Sequence, residues 1–178
     1  MKSKWFKGIS KEDAIKGGKF LVYFILVFAV LFLVFGFLVS LKWIEEIVAI
    51  GANFFLGLFG LNGAINSGAE PIMIAFPNFF VQISYLCTGL FEMTLLIAAI
   101  IATLGIKWKK KLVGAIGAVI GIYFFNLFRI ITTIIAIDKL ELNAAEAIHD
   151  VLFRLSLLVV VAGFYFVWYE WATKKKKA

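Results

Sequence analysis

Four stretches of this chain, residues 20–41, 87–106, 112–137 and 151–171, stay apolar over the length of a bilayer's hydrocarbon core. About 20 helical residues cover the roughly 30 Å of acyl chain, and within lipid every backbone polar group has to be bonded inside its own segment. Helices meet that demand. The expected fold class is an all-α integral membrane protein, a polytopic helical bundle with about four to six transmembrane helices and a short interfacial, re-entrant or extended segment on the outer face. Composition agrees, since 63% of the residues are hydrophobic where soluble proteins carry about 45–50%. Residues 1–178 read as a single membrane domain with no room for a separate soluble module.

The net charge of +7 invites a nucleic-acid reading, but its distribution opposes one. Most of the 18 lysines and arginines fall in three clusters: Lys2 to Lys19, KWKKK at 107–111 and KKKK at 174–177. Each abuts an apolar run, the pattern of cytoplasmic anchors under the positive-inside rule. Contact with anionic headgroups accompanies that placement. Residues 1–19 are then a cytoplasmic basic N-terminus, in which Ser10, Glu12 and Asp13 can cap a short amphipathic helix. Residues 172–178 are a cytoplasmic basic tail. The first apolar run is long enough to span and lacks a small-residue cleavage pattern, so it is expected to be retained. The single cysteine, Cys87, allows no internal disulfide.

Between the first two long runs the pattern changes. IVAIGANFFLGLFGL at 47–61 is short and interrupted by Gly51, Gly57 and Gly60, so it reads as interfacial or re-entrant. NGAINSGAEP reads as a turn-rich linker, and IMIAFPNFFVQISY as a hairpin-like or extended pair around Pro77-Asn78. Parity then sets the topology. With 107–111 and 174–177 both inside, the last two helices form a hairpin whose tip, 138–150, is outside. The preceding helix runs inward with Cys87 at its outer end, and the first helix ends outside. No Lys or Arg occurs between Trp43 and Ile106. Residues 43–85 are therefore expected on the outer face, although two extra crossings, 47–61 inward and 72–85 outward, also satisfy parity. The expected location is the plasma membrane, multi-pass, with both termini cytoplasmic.

An ionisable residue at the centre of a spanning helix costs about 2.5–3.5 kcal/mol on insertion scales, which makes each one a functional candidate. Glu92, Arg129 and Arg154 qualify. At about 1.5 Å of rise per residue, Arg129 is about 27 Å from Lys111, close to the outer edge of the core. His149, the single histidine, precedes the last run at the same outer level. Cys87, Arg129 and His149 thus come from different helices to one depth. Acyl transfer by a thiol uses such a set: a cysteine activated beside a cation, a histidine carrying a proton between thiol and leaving amine, and an arginine at the oxyanion. Backbone N–H groups near Cys87, Thr88 and Gly89 could face a substrate carbonyl, and the start of a helix favours the thiolate. Each residue also has a structural reading. Cys87 could be packing and His149 a snorkelling side chain. Arg129 could pair with Glu92 as a counter-charge, and Asn126, one turn before Arg129, could orient its guanidinium or bond across helices. Asp150 could hold the His149 imidazole, and Arg154 could face substrate or anchor its helix.

Three short motifs narrow the choice: Cys-Thr-Gly (Cys87, Thr88, Gly89), Asn-x-x-Arg (Asn126, Arg129) and His-Asp (His149, Asp150), in that order on successive helices. Together they resemble the archaeosortase/exosortase family over residues 80–170. The resemblance implies a membrane cysteine protease or transpeptidase that cleaves a C-terminal sorting signal of exported proteins and transfers them to a lipid or other acceptor at the outer face. It implies Cys87 as nucleophile, Arg129 as thiolate or oxyanion stabiliser and His149 as proton carrier, with Arg154 a rival for the third role. Thr88 stands where serine is common in the family. The catalytic helical core would be 86–171. The implied partners are exported proteins ending in a motif, a transmembrane helix and a basic tail, together with a membrane lipid. No nucleic acid, metal or cofactor is expected. A reading from another class is a non-enzymatic transporter subunit or scaffold with a buried Glu/Arg charge network.

Overall fold

The computed structural model describes residues 11–35, 41–140 and 142–174. Helix α1 (Lys11–Leu33) is followed by α2 (Lys42–Leu58), then by a small sheet of β1 (Ala64–Asn66), β2 (Ile72–Ala75) and β3 (Phe80–Ile83). A single 3-10 turn, Tyr85–Cys87, leads into α3 (Leu90–Ala102). Helix α4 (Trp108–Lys139) pairs with a helical run made of α5 (Leu142–Leu155), a π-helical stretch Ser156–Val161 and α6 (Ala162–Thr173).

Helices dominate as hydropathy requires, but the fold is not all-α. Residues 64–66, read from sequence as linker, form a strand, and the three strands pair antiparallel in the order β1-β2-β3. The hairpin around Pro77-Asn78 is present, with Ala75 opposite Phe80 and Ile72 opposite Ile83. Strand alternation explains the missed strand: Ile65 pairs with Ile74, which is fully buried, and three residues are too few for a periodic signal in the sequence.

The helices also depart from the expected spans. Among the described residues two single helices, α1 and α4, are long and apolar enough to cross a membrane, and residues 151–171 lie within the unbroken helical run of α5, the π-helical stretch and α6. From Lys11 onward the basic segment continues without a break into the apolar run as helix α1, so residues 11–19 form no separate amphipathic helix. The proposed cap Ser10 lies outside the described residues. Helix α3 has 13 residues, about 20 Å of rise, and begins at Leu90, not Cys87. Residues 47–61 lie mostly within a regular 17-residue helix, α2. Its Gly51 comes so close to α4 that a Cβ there would sit 2.6 Å from the Tyr123 hydroxyl. Gly51 therefore permits helix packing rather than weakening α2. The tip of the last hairpin is also shorter than expected, because α4 runs to Lys139 and α5 begins at Leu142.

Helix α4 is the spine. Its C-terminal half (Leu127, Ile130, Ile134) packs with Val48, Ala49, Ala52 and Leu56 of α2 and with Ile72, Ile74 and Ile83 of the sheet. Its N-terminal half (Ala118, Ile122) packs with Leu96 and Ile100 of α3 and with Val161, Trp168 and Ala172. At that end lysines close the helix termini. Lys110 Nζ donates to the Ala172 carbonyl at 2.6 Å and Lys111 Nζ to the Ile101 carbonyl at 2.5 Å, both among the last carbonyls of a helix, where a cation is favoured. Helix α1 buries no residue. Its Phe20, Phe24, Phe28 and Phe32 form an i, i+4 ring ladder, and Phe28 meets Phe91 of α3 edge-on at 5.9 Å.

Candidate functional site

The Cys87 turn is fixed from three sides. Cys87 N–H donates to Ser84 O at 2.8 Å and Thr88 N–H to Tyr85 O at 3.2 Å, closing the 3-10 turn. The buried Thr88 hydroxyl donates to Tyr85 O at 2.6 Å and accepts from Leu90 N–H at 3.3 Å, so it links the turn to the first residue of α3. Asn126 Nδ2 reaches across from α4 to donate to Cys87 O at 2.6 Å. The Ser84 hydroxyl lies 3.7 Å from the thiol sulfur in donor geometry. Of the N–H groups near Cys87 expected to face a substrate carbonyl, those of Cys87 and Thr88 are bonded within the turn instead.

Gly89 has φ +75°, a left-handed conformation that an L side chain adopts at a penalty of about 1–2 kcal/mol. A Cβ there would lie 3.2 Å from Ile122 and 3.3 Å from Asn126. Glycine thus serves the turn and the close approach of α4 together, which is what brings Asn126 within reach of Cys87.

Arg129 is 2% exposed and Glu92 3%. Their ion pair, Nη1 to Oε1, measures 3.4 Å, and the guanidinium also lies 5.3 Å from the Phe153 ring of α5. At this site Arg129 Nε and Asn126 Oδ1 are buried with no hydrogen-bond partner among the described residues. Both residues border a cavity of about 10 Å³ together with Gly89 and Glu92, about the space one water needs.

A larger cavity, of about 90 Å³, is walled by Cys87, Arg129 and His149 at once. Ile130, Thr133 and Ile134 of α4 and Val81, Gln82 and Ile83 of β3 complete its wall. The residues singled out from three segments therefore meet at one cavity. His149 reaches it from inside α5, seven residues past the helix start, and does not precede the helix as expected. It also borders a second cavity of about 240 Å³ with Thr133, Glu146 and Asp150. Its Nδ1 is 3.8 Å from Asp150 Oδ1, too long for a hydrogen bond, so Asp150 does not fix the imidazole tautomer through one. Arg154 lies in α5, and its side chain is outside the described part of the structure.

Ser84, Gln82 and Thr133 border this site or its thiol without having been singled out from sequence. Ser84 carried a usable signal, standing three residues before Cys87 at the start of the turn. Gln82 and Thr133 carried none, because their places depend on how β3 and α5 pack against α4. Beside the turn, a fourth cavity, of about 580 Å³, between α1 and α3 is lined by Phe32, Leu41, Tyr85, Leu86 and Phe91. Among the described residues no group of three or more His, Cys, Asp or Glu is arranged to hold a metal ion.

A sequence model of the family described as transmembrane exosortase (Exosortase_EpsH) matches residues 16–169. No curated protein and no solved structure matches the chain at a significant level.

Proposed function

Because the chain belongs to the transmembrane exosortase family, we propose that it is a membrane cysteine transpeptidase that cuts a sorting signal near the C-terminus of exported proteins. The observation that carries this reading is the shared cavity of Cys87, Arg129 and His149. In the proposed mechanism the Cys87 sulfur attacks the scissile carbonyl and the thiol proton passes to His149. The tetrahedral oxyanion forms against the Arg129 guanidinium, whose charge Glu92 holds in position. Collapse of the intermediate leaves a thioester on Cys87, and His149 returns the proton to the departing amine. An amine of an acceptor lipid, or water, then attacks the thioester and regenerates the thiol. The cavity on the other side of His149 is the route by which its proton exchanges with the outside.

Both termini are assigned to the cytoplasm and the cavity to the outer face. Arg129 is about 27 Å along α4 from Lys111, and the remaining turns to Lys139 carry the helix beyond a core about 30 Å thick. The apolar groove between α1 and α3 abuts the Cys87 turn at Tyr85 and Leu86, and receives the transmembrane helix that follows the cleavage point in the substrate.

Co-expression with a protein ending in a motif, an apolar helix and a basic tail tests the reading. A thioester-linked species should be trapped with the wild-type chain and be absent in Cys87→Ala, and mass spectrometry of the new C-terminus separates lipid transfer from hydrolysis. Full processing by Cys87→Ala would favour the rival reading, a transporter subunit or scaffold, for which the buried Glu92–Arg129 pair is the supporting observation.

A further inference from the structure

The small sheet presents an open edge to the cavity that holds Cys87. β3 is terminal in the order β1-β2-β3, so β2 lies on one side of it and, among the described residues, no strand on the other. The 2.8 Å bond from Phe76 N–H to Phe79 O marks these two residues as a hydrogen-bonded pair next to the turn. Bonded and non-bonded pairs alternate along an antiparallel ladder. With Ile74 opposite Val81 and Ile72 opposite Ile83, Val81 and Ile83 turn their N–H and C=O toward β2. Phe80 and Gln82 turn theirs toward the open side.

Side chains follow the same alternation. Ile83 is fully buried and anchors the strand in the core shared with α2 and α4. Gln82 is exposed and lies on the wall of the cavity with Cys87, Arg129 and His149. An unpaired strand edge is a template for another extended chain, and main-chain pairing to such an edge gives affinity while alternate side chains give selectivity.

We propose that the polypeptide substrate binds as an added strand on the open edge of β3, exchanging main-chain hydrogen bonds with Gln82 so that its scissile carbonyl arrives at Cys87. The occupant is the extended segment just before the cleavage point. A second copy of this chain fits poorly, because the edge faces a cavity walled by Thr133, Ile134 and His149, which admits one extended segment and not a folded sheet. The segment on β3 borders the thiol through the shared cavity, and the helix in the α1–α3 groove reaches the same turn at Tyr85 and Leu86. This inference rests on the transpeptidase reading.

Gln82→Pro removes the outward N–H and leaves the bonds to β2 in place, and proline is tolerated at such edge positions. Processing of a co-expressed substrate should fall about tenfold with an unchanged unfolding temperature, and Gln82→Ala, which keeps the N–H, should stay well above the proline variant. Equal losses in the two variants would assign the effect to the side chain and overturn the proposal, as would a wild-type rate in Gln82→Pro. Loss of self-association in Gln82→Pro with processing intact would assign the edge to a second copy, also against it. If Gln82→Pro does not fold, synthetic substrates carrying single backbone esters before the cleavage point give the same information. Losses of about three- to tenfold at every second position are expected, and losses without that alternation would sink the idea. Cys87→Ala is measured in parallel. Continued processing there refutes the transpeptidase reading itself, whereas Cys87-dependent processing that ignores both the proline and the esters refutes strand addition alone.

Discussion

Asn126 on α4 donates to the main-chain carbonyl of Cys87 at 2.6 Å, a bond between residues 39 positions apart. It is the direct tie between the thiol-bearing turn and the helix that carries Arg129. In Asn126→Ala the Cys87 carbonyl loses its partner at a penalty of about 1–3 kcal/mol. The turn is then free to shift, and processing should fall about ten- to hundredfold. Thermal unfolding in detergent and the processing rate, measured together, check both effects.

Gly89→Ala should be damaging for two separable reasons. The left-handed conformation at φ +75° opposes any L side chain by about 1–2 kcal/mol, and the new Cβ presses on Ile122 and Asn126. A lower unfolding temperature with reduced processing is expected. Gly89→Asn, whose side chain tolerates the left-handed region, removes the first cause and keeps the second, so it should fall between alanine and wild type.

The Glu92–Arg129 pair separates stability from chemistry. Glu92→Gln leaves a guanidinium that is 2% exposed without its counter-charge, and breaking a buried pair destabilises by about 3–5 kcal/mol. The double variant Glu92→Leu/Arg129→Met should regain stability relative to Glu92→Gln and remain inactive. A double-mutant cycle on unfolding, run beside the activity assay, distinguishes an oxyanion role for Arg129 from a purely structural one.

Lys110→Met removes the bond to Ala172 O at the end far from the cavity. A stability loss of about 0.5–1.5 kcal/mol with an unaltered processing rate is expected from unfolding in detergent and the same assay.

The apolar helices and the hairpin around Pro77-Asn78 were legible because periodicity and turn residues are local signals. The boundaries were not. Cys87 seemed to open a helix because nothing in the letters CTGL reveals that Gly89 takes a left-handed φ and delays α3 to Leu90. His149 seemed to precede a helix because the apolar run starts only at Val151, whereas the helix already runs from Leu142 and packs along α4 with Ala145 buried. Depth counted along helices is readable from sequence and puts Cys87, Arg129 and His149 at one level, whereas their meeting in plane at one cavity depends on how β3 and α5 pack against α4. Gln82 was hidden because its place depends on the strand order of a sheet whose first member has three residues.

The two clusters of buried side chains share one element, α4: α2 and the sheet belong to the cluster near the thiol, and α3, the π-helical stretch and α6 to the other. Such a division lets the lower half drift in evolution. Substitutions among Leu96, Ile100, Ala118 and Trp168 can follow changes in lipid composition or growth temperature while the spine keeps the upper geometry in register. Relatives adapted to different membranes should then diverge most in the foot of the bundle and least where α4 meets α2 and the sheet.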